Sequence, residues 1–270
     1  SGFKHIAYNH EVISFFEYAN QVWVGTRGYG ISIYEYDHSG KAVLKNKLLI
    51  DKSGDSELKN TISKIYKDKK SRIWICTLEG VYLYNDESSN FHAIKHSKNG
   101  KNVPSSNIIS SIYCDDDYLW LATSNGINKI KWNNKNDYTI TRYVDRRNTN
   151  DIMAGNKIQC ITKFKDQTFL ISTKNAIKFF DSGRCLFYDD QLLNVALERY
   201  GMRYVRSIFK DYYNNIWLAF SEGGVGSINA STDKFTRLDY PEKVKGKHRA
   251  ICRDSNGNIW LSSDNDGLYR

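Results

Sequence analysis

The sequence predicts an all-β fold, a β-propeller of about six four-stranded blades, because one short phrase recurs along its 270 residues. The phrase combines a large anchor residue, an aliphatic residue, a small residue and usually a hydroxyl residue, and a second β-like segment, often led by glycine, follows it. Successive anchors lie 43 to 51 residues apart, which is the length that four short strands and their turns occupy. The anchors are Trp23, Trp74, Trp120, Leu170, Trp217 and Trp260.

The strands of each blade can be placed around its anchor. An alternating, β-branched segment precedes each anchor and predicts an inner strand. Inner strands are predicted at 13–16, 62–66, 109–113, 158–161, 205–209 and 248–252. Third strands are predicted at 30–34, 80–84, 126–130, 176–180, 224–228 and 267–270. Outer strands are predicted at 91–96, 138–143 and 235–240.

The residue two positions after each anchor is always small. These residues are Gly25, Cys76, Ala122, Ser172, Ala219 and Ser262. Such uniformity is expected where adjacent blades approach closely, because a larger side chain would overpack the contact. The same alternation places the anchor tryptophans between blades, which predicts a core role for them instead of a role as carbohydrate platforms.

The two ends of the chain predict how the ring closes. The last copy of the repeat lacks an outer strand, whereas Phe3–Tyr8 has the pattern of one. We therefore predict that the N-terminal strand, 3–8, joins the last blade and removes two exposed sheet edges. The unbroken repeat predicts a single propeller domain over 1–270. Its abrupt ends suggest a piece of a larger sensor, whose blade number is open.

Composition limits the classes of partner. The chain has 39 Lys and Arg against 30 Asp and Glu, a formal net charge of +9. This charge permits nonspecific adhesion to nucleic acid, but no groove-reading helix or stacking motif accompanies it, so nucleic acid is not an expected partner. No apolar run approaches the roughly 18 residues that span a bilayer, and no leader pattern begins the chain. Direct membrane insertion by this segment is therefore not expected.

Cysteine and metal chemistry give weak signals. Of the five cysteines, four lie in or beside predicted strands at positions that suit small apolar residues, which favours buried free thiols over disulfides. His92 and His96 lie about 13 Å apart along one predicted strand, too far to share a metal ion. The acidic runs 115–117 and 264–267 lack the glutamate of a calcium loop and are interpreted as turns. No metal and no cofactor is expected.

Three long phrases resemble the two-component regulator propeller repeat. They are ISKIYKDKKSRIWICTLEGVYLYN, VRSIFKDYYNNIWLAFSEGGVGSIN and AICRDSNGNIWLSSDNDGLYR, and the segment 104–107 resembles the Pro-Ser-Asn lead-in of that family. The resemblance covers nearly the whole chain. It departs from the family pattern in three ways: only Gly25 keeps the glycine of the anchor phrase, Leu170 replaces its tryptophan, and Phe220 replaces its threonine. It implies the periplasmic sensor region of a hybrid two-component histidine kinase that detects glycans and controls polysaccharide use. Free cysteines fit poorly with an oxidising periplasm.

Function is expected on loops at one face of the ring. Loops that enter the inner strands share this face with turns between the second and third strands, and basic and aromatic residues converge there. The candidate ligand-binding residues are Arg27, Tyr29, Arg146, Arg147, Lys174, Arg203, Tyr204, Lys247, His248 and Arg249. Guanidinium groups bind carboxylate or sulfate in pairs and aromatic faces stack on sugars, so this mixture suits an acidic oligosaccharide.

Three alternatives stay open at this point. The basic residues can simply be solvated surface charges. The same face can dock a neighbouring propeller or a subunit of the same sensor. A propeller-type polysaccharide lyase or hydrolase would use acids and bases at the loop tips, but none has diagnostic spacing, so no catalytic residue is assigned and an enzyme is not expected. The residues considered for that chemistry are Glu79, Glu222, Asp264, Asp266, His248 and Tyr29.

Overall fold

A computed structural model describes most of the chain. The described residues are 10–18, 21–38, 42–85, 88–95, 102–115, 117–133, 137–145, 156–174, 176–222, 224–238, 248–253, 259–263 and 267–269. The chain divides into two compact units, Ile6–Arg142 and Tyr143–Arg270. The single domain expected over 1–270 therefore stays a prediction.

The first unit, Ile6–Arg142, contains three four-stranded antiparallel sheets. Strands follow one another in chain order, so each sheet is an up-and-down meander of the propeller-blade type. The first sheet comprises β1 (Val12–Tyr18), β2 (Gln21–Thr26), β3 (Ile31–Tyr36) and β4 (Ala42–Leu48). The second comprises β5 (Ile62–Lys67), β6 (Ile73–Thr77), β7 (Gly80–Asn85) and β8 (Asn90–Ile94). The third comprises β9 (Ile109–Cys114), β10 (Tyr118–Thr123), β11 (Gly126–Trp132) and β12 (Tyr138–Tyr143).

The second unit, Tyr143–Arg270, continues the same pattern. Its first sheet comprises β13 (Ile158–Lys165), β14 (Thr168–Thr173), β15 (Ile177–Asp181) and β16 (Leu186–Tyr188). A helix, α1 (Gln191–Arg199), follows this sheet. The next sheet comprises β17 (Arg203–Lys210), β18 (Asn215–Glu222), β19 (Val225–Asn229) and β20 (Phe235–Arg237). The last comprises β21 (His248–Arg253), β22 (Ile259–Ser263) and β23 (Gly267–Tyr269).

The expected blade type is confirmed, but the count of complete blades is not. The described residues form five four-stranded sheets and one sheet of three strands, instead of six four-stranded blades. In the last sheet the third strand, β23, is the last described element. The strand predicted to complete that sheet, 3–8, lies outside the described residues, so closure of the ring stays a prediction.

Between the predicted third strand 176–180 and the inner strand 205–209, the sequence pattern leaves 189–204 as a loop that enters the inner strand, and helix α1 corrects this. Asp190 caps its first turn, because the Asp190 carboxylate accepts a hydrogen bond of 3.0 Å from the Leu193 amide. Gly201 follows its last turn with φ of +63°, the left-handed geometry that often ends a helix. Leu193 and Leu197, one turn apart, are buried in the hydrophobic core beneath the helix. The capping aspartate, the terminal glycine and the leucine spacing are all visible in the sequence, but this stretch was interpreted as a connection within a β repeat.

Consecutive first strands are held side by side. The Cys160 thiol donates to the Arg206 carbonyl over 3.4 Å, and the Lys210 ammonium donates to the Phe164 carbonyl over 2.9 Å. Both contacts join residues 46 positions apart, so β13 and β17 run in the same direction. In the first unit the Ser14 hydroxyl similarly donates to the carbonyl of Ile62. The starts of neighbouring inner strands consequently lie at the same edge of their sheets.

The small residue after each anchor has the role that the sequence predicts. A Cβ atom at Gly25 would lie 2.3 Å from the Ser14 hydroxyl oxygen and 2.8 Å from a methyl group of Ile62 on the next blade. Cys76 and Ala122, the equivalent residues of the following two blades, are fully buried. Close approach of adjacent blades therefore limits side-chain size at this position.

Two of the three buried anchor tryptophans of the first unit are held by a carboxylate from the preceding hairpin. Trp23, Trp74 and Trp120 are buried, which confirms their expected core role. The Trp74 indole donates to the Asp68 carboxylate over 2.9 Å, and Asp115 accepts from Trp120 in the same way. This contact gives a physical reason for the aspartate that precedes the hairpin turn of the repeat.

In the second unit Asp211 repeats this contact by accepting from Trp217 over 2.9 Å. Burial of the Asp211 carboxyl group opposes its ionisation, but hydrogen bonds from Trp217 and Asn215 outweigh this effect and lower its pKa. The carboxylate form is therefore the one that the folded hairpin stabilises.

Candidate functional site

The turns between the second and third strands are fixed by the hydroxyl residue of the repeated phrase. The hydroxyl groups of Thr26, Thr77 and Thr123 each donate a hydrogen bond of 2.9 Å to the carbonyl of a glycine that begins the next strand or directly precedes it. In the third blade the Thr123 oxygen also accepts from the Asn125 amide. The phrase therefore builds a rigid turn, on which exposed side chains are presented at the sheet edge.

Loops that enter the inner strands are tied to these turns. The Gly30 amide donates to the Asn60 carbonyl over 2.8 Å, and the Gly80 amide donates to the Asn107 carbonyl over 2.7 Å. In the first unit the two sets of loops therefore share one edge, as the sequence predicts. The Asn60 side chain fixes its own loop as well, because it accepts from the amides of Ile50 and Asp51.

Each described inner strand also carries a β-bulge near its start, beside this edge. In each case the pairing with the second strand skips one residue, and bulges of this kind re-aim side chains at functional sites. The skipped residues are Ile13, Ser63, Ser110, Gln159, Arg206 and Arg249. Sequence periodicity did not reveal these bulges, because one extra residue is too small a change to stand out in a short strand.

Arg27, the first candidate residue, lies in the turn after β2 and is already engaged. Its Nε and Nη2 atoms donate to the two carboxylate oxygens of Glu11 over 2.6 and 3.2 Å. The pKa of the Arg27 guanidinium is raised, above all by this hydrogen bond and further by the negative charges of Glu11 and Glu57. Arg27 is therefore one half of a two-pronged ion pair.

Tyr29 gives the same turn a flat aromatic surface. Its ring stacks on the ring of His10, with centroids 3.6 Å apart and an interplanar angle of 18°. The Tyr29 side chain nevertheless remains 57% exposed. The structure thus brings Tyr29 and Arg27 together in one turn, as expected, and adds His10 and Glu11 from the segment that leads into β1.

Glu57 closes the turn from the neighbouring loop. A Cβ atom at Gly28 would lie 2.6 Å from Cγ of Glu57, so glycine leaves the room that this side chain occupies. The backbone is linked as well, because the Gly28 amide donates to the Thr61 hydroxyl, which itself donates to the Glu57 carbonyl. We name the group formed by His10, Glu11, Arg27, Tyr29 and Glu57 the Arg27 cluster.

The corresponding turn of the second blade is occupied by an acid that is already paired. Glu79 accepts a hydrogen bond of 2.6 Å from the Ser56 hydroxyl and lies 3.6 Å from the Lys95 ammonium. Glu79 is one of the acids that lyase or hydrolase chemistry would use, and these contacts give it a structural role between the loop and the turn. Glu222, another of those acids, is exposed at the end of β18.

Other candidate residues lie in the second unit. Lys174 is exposed directly after β14, and Tyr204 lies near the start of β17 with φ of +57°. Arg203, His248 and Arg249 are placed by their backbone at the starts of β17 and β21, two inner strands that contact each other. Outside the described residues lie Arg146, Arg147, Lys247, Asp264 and Asp266.

Sequence reasoning missed three members of the Arg27 cluster. It selected basic and aromatic residues, whereas His10, Glu11 and Glu57 precede inner strands or lie within a loop whose pairing the repeat does not encode. A signal was nevertheless present, because the loop 51–57 carries three acidic residues beside the turn that bears Arg27.

The described cysteines form no disulfide and contribute no side chain to the Arg27 cluster. Cys76, Cys114 and Cys160 are buried free thiols, as expected, whereas Cys185 is an exposed free thiol. Burial raises the pKa of the Cys114 thiol to about 12.

In the described part of the chain no group of three or more His, Cys, Asp or Glu side chains could hold a metal ion. Helix α1, too short to cross a bilayer, leaves the described residues without a helical membrane span.

A short segment of the chain matches a protein family, and most of the chain aligns with a known histidine kinase. Residues 248–265 match the family model described as two component regulator propeller. Histidine kinase P4 of Formosa agariphila is 24% identical over 259 residues, which cover 92% of this chain and 17% of the kinase. This chain therefore spans less than a fifth of that relative.

Two solved structures resemble the chain in fold. One is the extracellular domain of a putative hybrid two component system from B. thetaiotaomicron, with a TM-score of 0.57, 18% identity and coverage of 97% of this chain and 40% of that one. The other is the computationally designed Ika8 protein, with a TM-score of 0.51, 11% identity and coverage of 97% of this chain and 70% of that one.

The family match lies on the last copy of a phrase that recurs along the whole chain, and the copies fold into successive blades. The chain therefore resembles the two-component regulator propeller family, whose model matches this last copy.

Proposed function

We propose that this chain is the ligand-sensing propeller region of a hybrid two-component histidine kinase, carried outside the cytoplasm, and that it binds an oligosaccharide. Support comes from the histidine kinase and the extracellular sensor domain that it resembles. Because the chain covers only a fraction of both relatives, the link to a kinase and the location outside the cytoplasm are both parts of the proposal.

One observation carries the proposed binding site. Tyr29 is exposed and stacked on His10 beside the ion pair of Arg27 and Glu11. An aromatic face binds the apolar face of a sugar ring, and neighbouring carboxylate and guanidinium groups can exchange hydrogen bonds with its hydroxyl groups. The turn is held by backbone hydrogen bonds, so little order has to be created when a ligand binds.

Signalling would follow from a difference in affinity. A ligand shifts an equilibrium between two arrangements of attached domains only when it binds one arrangement more tightly than the other. In this proposal the chain supplies the binding surface, and the rest of the sensor transmits the signal to the kinase.

A panel of oligosaccharides tests the proposal by thermal unfolding and calorimetry. At a ligand concentration of 100 times Kd, stabilisation by about 2.7 kcal/mol is expected, which corresponds to a rise in Tm of about 5 °C. Tyr29→Ala should abolish this shift. Tyr36→Ala is the matched control, since Tyr36 is 50% exposed at the far end of the same blade. Equal loss in both variants would contradict the assigned site.

The same panel tests the catalytic alternative. Each oligosaccharide is incubated with the chain alone and the products are separated by mass. If the chain only binds the oligosaccharide, the length of the oligosaccharide does not change. Shortened or unsaturated products would instead show a hydrolase or lyase activity and would contradict the proposed binding role.

A second candidate function, docking of another subunit, is favoured by helix α1. Leu192 is 85% exposed and Val195 is 63% exposed on the face opposite the buried Leu193. A second copy is the partner that the charges favour, because antiparallel packing of two such helices places Arg199 of one near Asp189 of the other.

Sedimentation over a concentration series tests this docking. Self-association is expected, and Leu192→Ser should weaken it by about tenfold through loss of buried apolar area. Leu44→Ser serves as the control, since Leu44 is 43% exposed on the outer strand β4. A monomer at every concentration would remove a second copy as the partner.

A further inference from the structure

We propose that the Arg27 cluster selects an uncharged, hydroxyl-rich saccharide and discriminates against uronate or sulfate groups. This inference rests on the proposed function and reverses the preference for acidic glycans that the basic residues suggest in the sequence.

The first reason is that the guanidinium is already bound to a carboxylate. Arg27 uses Nε and Nη2 for the two oxygens of Glu11, over 2.6 and 3.2 Å. These are the parallel donors with which arginine would clamp a ligand carboxylate or sulfate. An anionic ligand would therefore have to displace Glu11 before it could bind in that way.

The second reason is the charge of the cluster. It contains one cation, Arg27, and two carboxylates, Glu11 and Glu57, and the Glu57 charge acts on Arg27. Two cations beside the loop that carries Glu57 are also paired, because Lys59 lies 3.4 Å from Asp51 and Lys95 lies 3.6 Å from Glu79, which itself accepts from Ser56 of that loop. On the same loop Lys52 and Asp55 cancel in formal charge. An approaching anion would thus meet a surface with excess negative charge.

The third reason is what remains available for a neutral ligand. The exposed face of Tyr29 can stack on a pyranose ring, and the carboxylates of Glu11 and Glu57 can accept hydrogen bonds from sugar hydroxyls. Hydroxyl groups can also donate to a carboxylate without breaking its ion pair, since each carboxylate has about four lone-pair sites. Neutral sugars can therefore use the paired groups as they stand.

Matched ligands test the selectivity directly. Oligogalacturonides provide one pair, because the free acid and its methyl ester share linkage and length but differ in charge. The neutral oligosaccharides of the panel provide a second set, each compared with its sulfated counterpart. We expect the uncharged member to bind at least about tenfold more tightly in low salt.

Charge-neutral variants locate the effect. Glu11→Gln and Glu57→Gln should each reduce the discrimination at least about threefold, because a carboxylate is lost and, in the first variant, the Arg27 guanidinium gains freedom to bind an anion. Glu17→Gln, the same chemical change on an exposed residue at the far end of β1, should leave the discrimination unaltered.

The outcomes separate the two proposals. Tighter binding of the charged members overturns the selectivity but keeps the oligosaccharide function. Neutral binding that Tyr29→Ala, Glu11→Gln and Glu57→Gln all leave unchanged overturns the assignment to the Arg27 cluster. Absence of any saccharide binding by the folded chain overturns the proposed function together with the inference.

Discussion

Replacement of Lys178 by methionine is expected to lower the free energy of unfolding by about 3–5 kcal/mol. Lys178 is only 8% exposed and its ammonium lies 3.1 Å from the carboxylate of Asp145, which is 3% exposed. Water cannot easily replace the ammonium at such a site, so the desolvation cost of the Asp145 carboxylate would no longer be offset by Lys178. Denaturation by urea, followed by fluorescence and circular dichroism, measures the change.

Two controls distinguish a buried ion pair from general damage to the strand. Lys165→Met removes an exposed pair with Asp233 and should cost less than about 1 kcal/mol. A double variant, Lys178→Met with Asp145→Asn, should recover part of the stability, because the carboxylate that loses its ammonium partner is then removed as well. A loss below about 1 kcal/mol for Lys178→Met would show that solvent reaches the pair.

The position of this pair depends on a loop contact. The Asp145 amide donates to the Asn156 side chain over 2.7 Å, and the Asn156 amide group donates back to the Asp145 carbonyl. Asn156 therefore fixes both ends of the connection that enters β13. Asn60 makes equivalent contacts with Asp51 in the first unit, so an aspartate and an asparagine bracket both connections.

Replacement of Asp68 by alanine should cost about 3 kcal/mol, because one buried carboxylate satisfies four donors. It accepts hydrogen bonds from the amides of Lys70 and Arg72, from Nε of Arg72 and from the indole of Trp74, over 2.6 to 2.9 Å. The Trp74 side chain is fully buried, so its N–H would lose its partner where water is excluded. Thermal and urea unfolding measure the loss.

Asp117→Ala is the matched control, since Asp117 is an exposed aspartate in the corresponding hairpin of the next blade. It should change the free energy of unfolding by less than about 0.5 kcal/mol. In a double-mutant cycle with Trp74→Phe, the cost of removing Asp68 should fall by at least about 1 kcal/mol, because no indole donor is then left unpaired. Equal costs in both backgrounds would refute the proposed role of the carboxylate.

Local pattern predicted the elements that repeat. Strand alternation, the recurrent anchor and the hairpin signals placed the inner, anchor and third strands and three outer strands within a few residues, because these features arise from neighbours in sequence. The outer strands β4 and β16 were not predicted. The repeat also predicted close approach at Gly25 and burial of Trp74, since a position that is small or aromatic in every copy must meet the same environment in every blade.

Features present in one copy were harder to predict. Helix α1 interrupts a predicted loop, although its cap at Asp190 and its terminal Gly201 follow ordinary helix rules. Lys178 appeared as one polar position in a predicted strand, and its partner lies 33 residues earlier in the chain. Such pairs cannot be found by periodicity, because the sequence does not state which loop will fold over which strand.

The sequence by itself determined the blade type, the order of the strands, the core role of the tryptophans and the edge at which loops gather, because each depends on contacts that every copy repeats. Only the tertiary structure decided how the charges are paired. Arg27, selected as an anion-binding residue, is bound by Glu11 and approached by Glu57, which come from segments with no repeated spacing. Pairing depends on distance in space, and it converts a basic residue in the sequence into part of a surface suited to neutral ligands.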